Sequence, residues 1–417
     1  MNRLLPFLLL FFPAVIFAQY EGAPMDINVN SNVDFASNSL SYSAVNKYFQ
    51  GGKISAEEKD KWSDRIREKN RAFVDASAGI SALWQLEHKE KPYKIGVSYQ
   101  ARFFAETRFT KNFWNTLFYG NKQYGTEKVI LGDNSALYTA YRDLKLDFVT
   151  PHWKLDERTT ICLGISGGFR VGIAQLGFVS RGLTLHNNTE LSESIDIQAD
   201  FDLKNAGSQY LNGLGGAFDI SVNFDGKFAN DNKWNLKIFT KNLGFTYWNP
   251  KSYSLSRKLD FTFDGLEVNI AQLSNSVKGS MDSIVRYVTD SARRGTFATA
   301  TPASLHACAS LSFRNYYPVI IGVAGELSGT VFSNFIFMAS IAPSVTKEWK
   351  TGNCVQQFMF KLPIRYCNYS GVGLGGEIAY GHDLQDDMAF GISLEGGVHG
   401  FTSAAAYGAI KLRFLIR

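Results

Sequence analysis

Apolar side chains recur at every second position through long stretches of this chain, and this alternation constrains the fold more than any other feature. Side chains of a β-strand point alternately to opposite faces, so a period of two predicts a strand with one apolar and one polar face. The clearest stretch has one face of Val74, Ala76, Ala78, Ile80, Ala82, Trp84 and Leu86. A second stretch at 94–106 follows after a polar turn at 88–92, which together predict a hairpin of long strands.

The same alternation returns often enough to predict about fourteen strands. Further clear examples lie at 160–173, 194–203, 214–225 and 410–417. Weaker examples lie at 135–148, 234–247, 257–263, 297–313, 317–328, 333–342, 355–367, 370–380 and 387–396.

The length of these strands and the charges on their polar faces favour a membrane protein. Strands of soluble sheets average ~5–6 residues, whereas a strand that crosses a membrane needs ~9–11. Charged side chains would be costly in a dry core but are solvated in a water-filled lumen. We therefore expect an all-β fold, a transmembrane antiparallel β-barrel with apolar side chains outside and polar ones inside. The 33 Phe, 19 Tyr and 37 Gly suit such a wall.

Residues 1–18 predict a cleaved secretory signal peptide. Arg3 precedes an apolar run at 4–17, and the small residue Ala18 stands before Gln19 at the expected cleavage point. No later segment has the ~18 consecutive apolar residues of a membrane-spanning helix. The expected location is the outer membrane of a Gram-negative cell, as an integral protein. The net charge of +5 comes from scattered basic residues, which argues against nucleic-acid binding.

Three segments do not alternate and predict helices or loops. In the polar segment 19–71, Ser55 and Glu58 predict the capping box of a helix within 53–70. Residues 111–134 predict a short helix or a folded loop, and 271–294 carry apolar residues at helical spacing. We expect 19–71 to be an N-terminal periplasmic or plug-like segment, and 72–417 to be the barrel. Such inserts either plug the lumen or are ordinary loops.

The face opposite the apolar one carries charges of both signs, which are the candidate functional residues. In a barrel they face the lumen and either form a polar passage or pair across it and stiffen the wall. A strand with three aspartates would favour cations or polar solutes in a passage. The lumen-facing candidates are Asp75, Arg102, Glu106, Arg170, Asp196, Asp200, Asp202, Asp219, Arg365, Glu377 and Arg413.

Several motifs of enzymes occur in the sequence without the context that their chemistry needs. Gly371, Gly373 and Gly376 fit a dinucleotide fingerprint, but alternation continues beyond them where a helix would be required. The S-x-x-K motif at 344–347 and the K-T-G motif at 350–352 are too close together for penicillin-recognising enzymes. The histidines lack metal-ligand spacing, so we expect no metal and no cofactor. Four cysteines allow three disulfide pairings, between which the sequence does not choose.

Ser304 and His306 lie two residues apart and therefore on one face of a predicted strand. Some barrel hydrolases of the outer membrane act on lipid with such a pair. A nucleophile needs its base within ~2.6–3.2 Å, and we expect residues at this spacing to be too far apart. The pair is interpreted as two polar residues of the lumen.

Four stretches carry a resemblance to a family: 118–121 (FYGN), 236–249 (LKIFTKNLGFTYWN), 300–306 (ATPASLH) and 371–376 (GVGLGG). The chain resembles uncharacterised outer-membrane β-barrels, a domain of unknown function related to FadL-type channels and PorV-type secretion-associated barrels. The resemblance implies about fourteen strands and an N-terminal plug-like segment. It implies no ligand, and residues 23–26 (APMD) depart from the Asn-Pro-Ala-like start of FadL-type channels.

These patterns favour a protein that is not an enzyme. The expected function is a passive channel or transporter for small molecules, hydrophobic ones included. The alternative is a non-conducting scaffold or accessory of a secretion or surface assembly, and an outer-membrane lipid hydrolase is a distant third. The expected partners are outer-membrane lipid, the barrel-insertion machinery, and either a hydrophobic small molecule or a secretion partner.

Overall fold

Fourteen antiparallel strands form one closed sheet in the computed structural model of the chain. The structure describes residues 24–41, 44, 47, 54–89, 91–188, 195–228, 232–263, 293–316, 318–331, 335–351, 354–384, 388–399 and 405–416. The predicted signal peptide and nearly all of the predicted helix at 271–294 lie outside these residues. The expectation of a transmembrane barrel of about fourteen strands is confirmed.

Each strand pairs with the next along the chain, and three strands are interrupted. The first six are β1 (Met25–Ser37), β2 (Lys69–His88), β3 (Lys91–Thr110), β4 (Lys128–Val149), β5 (Thr159–Asn187) and β6 (Ile195–Phe228). Strand β7 has the segments Asn232–Lys241, Leu243–Trp248 and Tyr253–Phe263, and β8 has Arg293–Arg294, Phe297–Ala300 and Ala303–Tyr316. The last six are β9 (Val319–Val331), β10 (Phe335–Thr351), β11 (Cys354–Lys361 and Ile364–Cys367), β12 (Gly371–Leu384), β13 (Met388–His399) and β14 (Ala405–Ile416). A two-residue strand, Trp153–Lys154, pairs with the start of β5.

Strand β1 closes the barrel, which corrects the predicted boundary between residues 71 and 72. Met25 pairs with Trp84 of β2 and with Ile416 of β14, so the wall begins at residue 25. The inward face of β1 carries five Asp and Asn side chains, from Asp26 to Asp34, and residues such as Ile27 and Val29 lie on the other face. The many Asp and Asn residues made the segment look polar throughout and concealed its alternation.

The two faces of the wall differ as the alternation predicts. On β4, Tyr141 and Asp143 face inward and are fully buried, while Leu144 and Leu146 face outward with 57% and 71% of their surface exposed. Arg142 shares the outward face with these leucines. Between Ala140 and Tyr141 the register of β4 with β5 shifts by one residue. The extra residue, Ile173, belongs to β5, so the alternation of β4 continues and Arg142 stays on the outward side.

The two ends of the barrel have different connections. At the end where β1 starts and β14 ends the connections are short: two residues separate β2 from β3, β8 from β9 and β10 from β11. Longer segments, such as 38–68 and 111–127, join strands at the other end. In outer-membrane barrels the short turns are periplasmic and the long loops extracellular. We call these the turn end and the loop end.

Two helices pack on each other at the loop end. Helix α1 (Ala56–Ser63) begins with the predicted capping box of Ser55 and Glu58, and helix α2 (Lys111–Tyr119) has Thr110 as its N-cap. Trp62 of α1 meets Phe118 of α2 with ring centroids 6.3 Å apart. No helix of the described residues is long and apolar enough to cross a membrane.

Glycines let the wall come close to side chains in the lumen. Gly375, in the motif that resembles a dinucleotide fingerprint, lies inside β12, as the continuing alternation predicted. A Cβ there would come within 1.8 Å of the Tyr407 hydroxyl oxygen. The glycine therefore makes room for Tyr407 and belongs to the wall.

Candidate functional site

A cavity of about 1130 Å³, lined by many charged and polar side chains, occupies the turn-end part of the lumen. It reaches from Asp75 and Arg102 in the middle of the barrel to Val149 and Gly164 near the turn end. Strands on opposite sides of the barrel line it, so it is the interior of the cylinder itself.

Residues from five strands meet across the lumen at the loop-end limit of this cavity. We call this group the central bridge: Asp75, Arg102, Tyr141, Asp143, Arg170, Thr301 and Pro302. Arg102 of β3 donates to both carboxylate oxygens of Asp75, with 2.7 Å from Nε to Oδ1. The same guanidinium donates to the Pro302 carbonyl oxygen of β8, 2.7 Å away. The bridge thereby links β3 to β8, five strands further along the sheet.

A second arginine of the central bridge is wholly buried with its carboxylate. Arg170 of β5 binds Asp143 of β4 through two hydrogen bonds of 2.7 Å, and both side chains have no exposed surface. The Arg170 guanidinium lies 4.1 Å from the centroid of the Tyr141 ring and donates to the Thr301 hydroxyl oxygen. Bidentate geometry and the stacked ring offset the cost of removing both charges from water.

Breaks in two neighbouring strands bring the backbone to these arginines. Asn242 and Gly244 of β7 have positive φ angles of 63° and 153°, and Thr301 and Pro302 lie outside the strand segments of β8. The Thr301 hydroxyl donates to the carbonyl oxygen of Asn242 at 2.8 Å. A Cβ on Gly244 would lie 2.1 Å from the Gly216 carbonyl oxygen, so only glycine fits here.

An apolar cluster fills the lumen on the loop side of the cavity. Except for Tyr369, each member lies on a strand two residues nearer the loop end than a residue that lines the cavity. Phe73 is related in this way to Asp75, and Phe104 to Arg102. Tyr369 caps the cluster, and its hydroxyl donates to Glu106 at 2.8 Å. The cluster consists of Ala36, Phe73, Phe104, Ile336, Cys367, Tyr369 and Ala405.

Ion pairs run along the wall of the cavity toward the turn end. Arg365 binds Glu395 and lies 3.7 Å from Asp34. Lys145 binds Asp219, and Lys361 binds Glu377 at 2.9 Å. Arg413 binds Asp26 at 2.8 Å near the turn end, with most of its own side chain exposed.

Eight of the eleven candidate residues from the sequence lie in this interior. Asp75, Arg102, Asp219, Arg365 and Arg413 line the cavity. Arg170 lies in the central bridge, Glu106 is buried beneath Tyr369, and Glu377 is buried beside Lys361. Among these eight, the structure assembles only Asp75, Arg102 and Arg170 into one connected group.

Asp196, Asp200 and Asp202 are separated from the cavity. They lie near the loop-end tip of the β5–β6 hairpin, whose strands of 29 and 34 residues extend past most of the wall. Asp196 pairs with His186 and Asp202 with Arg181, and Asp200 is exposed. A strand can keep its alternation beyond the part of the barrel that encloses a lumen. The pattern alone therefore did not distinguish residues that face the lumen from residues of the hairpin beyond it.

Several interior residues were missed from the sequence. Tyr141 and Asp143 share a face with each other, and the outward Arg142 between them was the available signal, because its neighbours must then point inward. Asp26 and Asp34 were missed because β1 was taken for part of a plug-like segment. Glu326 and Glu395 offered no signal beyond their position in an alternating stretch.

Ser304 and His306 contact each other, contrary to the expectation from their spacing. The Ser304 Oγ and His306 Nε2 atoms are 2.9 Å apart, and His306 Nδ1 is 2.9 Å from Oε1 of Glu326 on β9. The imidazole bends along the strand and stacks on Phe239 of β7, with centroids 4.8 Å apart and an interplanar angle of 4°. Their Cα separation was the wrong measure, because the histidine ring spans much of it. All three polar side chains line the cavity.

The cysteines and metal ligands add no further site within the described residues. All four cysteines are free thiols. No group of three or more His, Cys, Asp and Glu side chains in this part of the chain is arranged to hold a metal ion.

These features define a transmembrane β-barrel with an apolar outer face and a charged lumen that side chains span near its middle. The chain belongs to a family of unknown function, DUF5723, whose model matches residues 19–383. The expected membership of an uncharacterised barrel family is confirmed. No curated protein matches the chain.

Solved outer-membrane proteins are similar to the chain at low sequence identity. The Ralstonia pickettii toluene transporter TbuX is 8% identical, with a TM-score of 0.41 over 95% of this chain and 90% of its own. A Pseudomonas aeruginosa FadL homologue is 8% identical, with a TM-score of 0.40 over 94% and 90%. The P. putida toluene transporter TodX is 8% identical, with a TM-score of 0.38 over 95% and 89%.

Proposed function

We propose that the protein is a passive conduit of the outer membrane for small polar solutes, with the central bridge as its gate. The observation that carries this is the cavity of about 1130 Å³, which ends at side chains that reach across the lumen. Solutes of the turn end would enter the cavity, and passage to the loop end would require the bridge and the apolar cluster to move.

The lining favours polar over hydrophobic solutes. The exposed cations Lys237, Lys241, Lys411 and Arg413 line the cavity together with several carboxylates. A hydrophobic molecule would have to displace the water around these charges without replacing its hydrogen bonds. A small solute that carries charge or hydroxyl groups would replace them.

A non-conducting scaffold is the second candidate, and the packing of the lumen is the observation that favours it. Arg170, Tyr141 and Phe104 are at most 1% exposed, so the middle of the described barrel is packed like a protein interior. The protruding β5–β6 hairpin would offer a partner a surface at the loop end.

Conductance in planar bilayers separates the two functions. The test compares the natural protein with Asp75→Ala/Arg102→Ala, which removes both charges of one bridge pair and leaves neither unpaired. We expect conductance to rise severalfold in this variant. Lys361→Ala/Glu377→Ala, which removes an ion pair of the wall, is the matched control and should leave conductance unchanged. If none of the three proteins conducts although each is correctly folded, the result would contradict the conduit and support the scaffold.

Export through a cleaved signal peptide forms part of the same proposal. Residues 1–18 have the charge and hydropathy pattern of such a peptide. N-terminal sequencing of the protein from outer-membrane fractions should begin at Gln19. A sequence that begins at Met1 would contradict the cleavage.

A further inference from the structure

We propose that Ser304, His306 and Glu326 form an acyl-transfer site inside the lumen. The proposal goes beyond a conduit and does not depend on conduction. It rests on two contacts in sequence. The Ser304 hydroxyl oxygen lies 2.9 Å from His306 Nε2, and His306 Nδ1 lies 2.9 Å from a carboxylate oxygen of Glu326. This is the arrangement by which a serine nucleophile is activated by a histidine base that a carboxylate orients.

The strands hold each member of the group in place. His306 is fixed on one side by the parallel ring of Phe239 and on the other by the hydrogen bond to Glu326. Arg102 of the central bridge donates a hydrogen bond to the Pro302 carbonyl oxygen, two residues before Ser304. The nucleophile thus lies two residues from a backbone carbonyl that a buried side chain holds, which favours a fixed geometry.

A lysine of the neighbouring strand lies opposite the proposed nucleophile on the cavity wall. Ser304 pairs with strands on both sides, Lys241 of β7 and Thr330 of β9, so its backbone groups belong to the sheet. Lys241 is directly opposite Ser304 and lines the same cavity. Within the described residues neither Lys241 nor Lys237 forms a salt bridge, whereas Arg102, Lys145, Arg365 and Arg413 all do. The ammonium of Lys241 would stabilise the oxyanion in place of backbone N–H groups.

The reaction that this geometry fits is hydrolysis of a small ester. The Ser304 oxygen attacks the carbonyl carbon while its proton passes to His306 Nε2. The bond from carbon to the leaving alkoxide then breaks, and His306 returns the proton to that oxygen. Water repeats the two steps on the acyl-serine, which releases the carboxylic acid and restores the serine. Lys237 and Lys241, which lie over the Phe239 ring and form no salt bridge within the described residues, favour an ester that carries a negative charge.

Covalent labelling of the full-length protein in detergent tests the nucleophile directly. Methanesulfonyl fluoride is small enough for the cavity and reacts with activated serines by loss of fluoride. We expect peptide mass spectrometry to find the sulfonyl group on Ser304. Labelling there should fall ~10²-fold or more in His306→Asn and in Glu326→Gln. Ser328→Ala is the matched control, because Ser328 lines the cavity opposite His306 on β9 but, within the described residues, forms no hydrogen bond to Ser304, His306 or Glu326.

Two controls make a negative result decisive. Heat-modifiable gel migration shows that each variant is folded. Methyl methanethiosulfonate, a reagent of similar size, reports access to Cys308, which lies two residues beyond His306 on β8. Modification of Cys308 without labelling of Ser304 would overturn the proposal, and so would exclusion of both reagents, since no ester could then reach the site.

Hydrolysis of p-nitrophenyl acetate and of the anionic 4-acetoxybenzoate tests the role of the lysines. We expect kcat to fall ~10²-fold in Lys241→Gln with little change in KM. A purely structural lysine would instead leave kcat unchanged in the folded variant. The preference for the anionic ester should disappear in Lys237→Gln. Equal rates for both esters with the natural protein would contradict an anionic substrate.

Discussion

The two parts of the lumen hold the same kinds of residue but differ in how they are packed. In the central bridge, Arg170 and Asp143 have no exposed surface and satisfy each other in a bidentate pair. At the turn end of the cavity, Arg413 binds Asp26 with 60% of the arginine side chain exposed. A charge in a barrel interior is therefore a structural element where neighbours pack around it, and a solvated lining where they do not.

The largest difference should appear when one carboxylate is removed from each place. Asp143→Ala leaves the guanidinium of Arg170 buried without its partner, which costs ~3–5 kcal/mol of unfolding free energy. Asp26→Ala leaves Arg413 in contact with solvent and should cost below ~1 kcal/mol. Urea unfolding from lipid vesicles, followed by heat-modifiable migration, measures both. Equal losses would mean that the two pairs are equally solvated.

A large charged side chain should be tolerated in the cavity but not in the apolar cluster. Ala36 belongs to the apolar cluster and is 3% exposed, whereas Ala379 lines the cavity. Ala36→Arg must overpack the cluster and bury a charge, so we expect a loss of ~3 kcal/mol or failure to fold. Ala379→Arg should cost below ~1 kcal/mol because its guanidinium remains in the polar cavity. The same unfolding assay applies, and tolerance of Ala36→Arg would show that the cluster is loosely packed.

An arginine on the outer face of the wall should destabilise the protein, whereas the same substitution at the next residue, which lines the cavity, should be tolerated. Ile378 precedes Ala379 on β12 and faces outward with 51% of its surface exposed. Ile378→Arg places a charge in hydrocarbon and should cost ~2–4 kcal/mol at mid-membrane. Refolding yield into vesicles, compared with Ala379→Arg, measures the difference. Comparable yields for the two variants would contradict the assignment of the faces.

The smallest effect is a difference in thiol reactivity that needs no substitution. Cys367 is 1% exposed within the apolar cluster, whereas Cys308 is half-buried beside His306. We expect a small water-soluble thiol reagent to modify Cys308 roughly tenfold faster than Cys367, because access limits the reaction of a buried thiol. Mass spectrometry of the two peptides over time measures the rates. Faster modification of Cys367 would place water in the packed part of the lumen.

Much of the wall could be predicted from the sequence because a barrel strand carries its orientation in its own residues. Alternation at 74–87 assigns Asp75 to the lumen without knowledge of any neighbour. It failed for β1, where inward residues such as Asn28 and Asn30 made the whole segment appear polar, and for Asp200, whose strand continues past the enclosed lumen.

Alternation along the chain was enough to predict a barrel, the residues that face lipid and a charged opposite face. Which of those charges meet is visible only in the folded molecule. Arg102 reaches Pro302 two hundred residues away, and Ser304 finds Glu326 through His306. The physical reason is that side-chain direction follows from a period of two along one strand. The partner across the lumen depends on closure of the sheet, on the breaks at Asn242 and Thr301, and on side-chain conformations that no local pattern encodes.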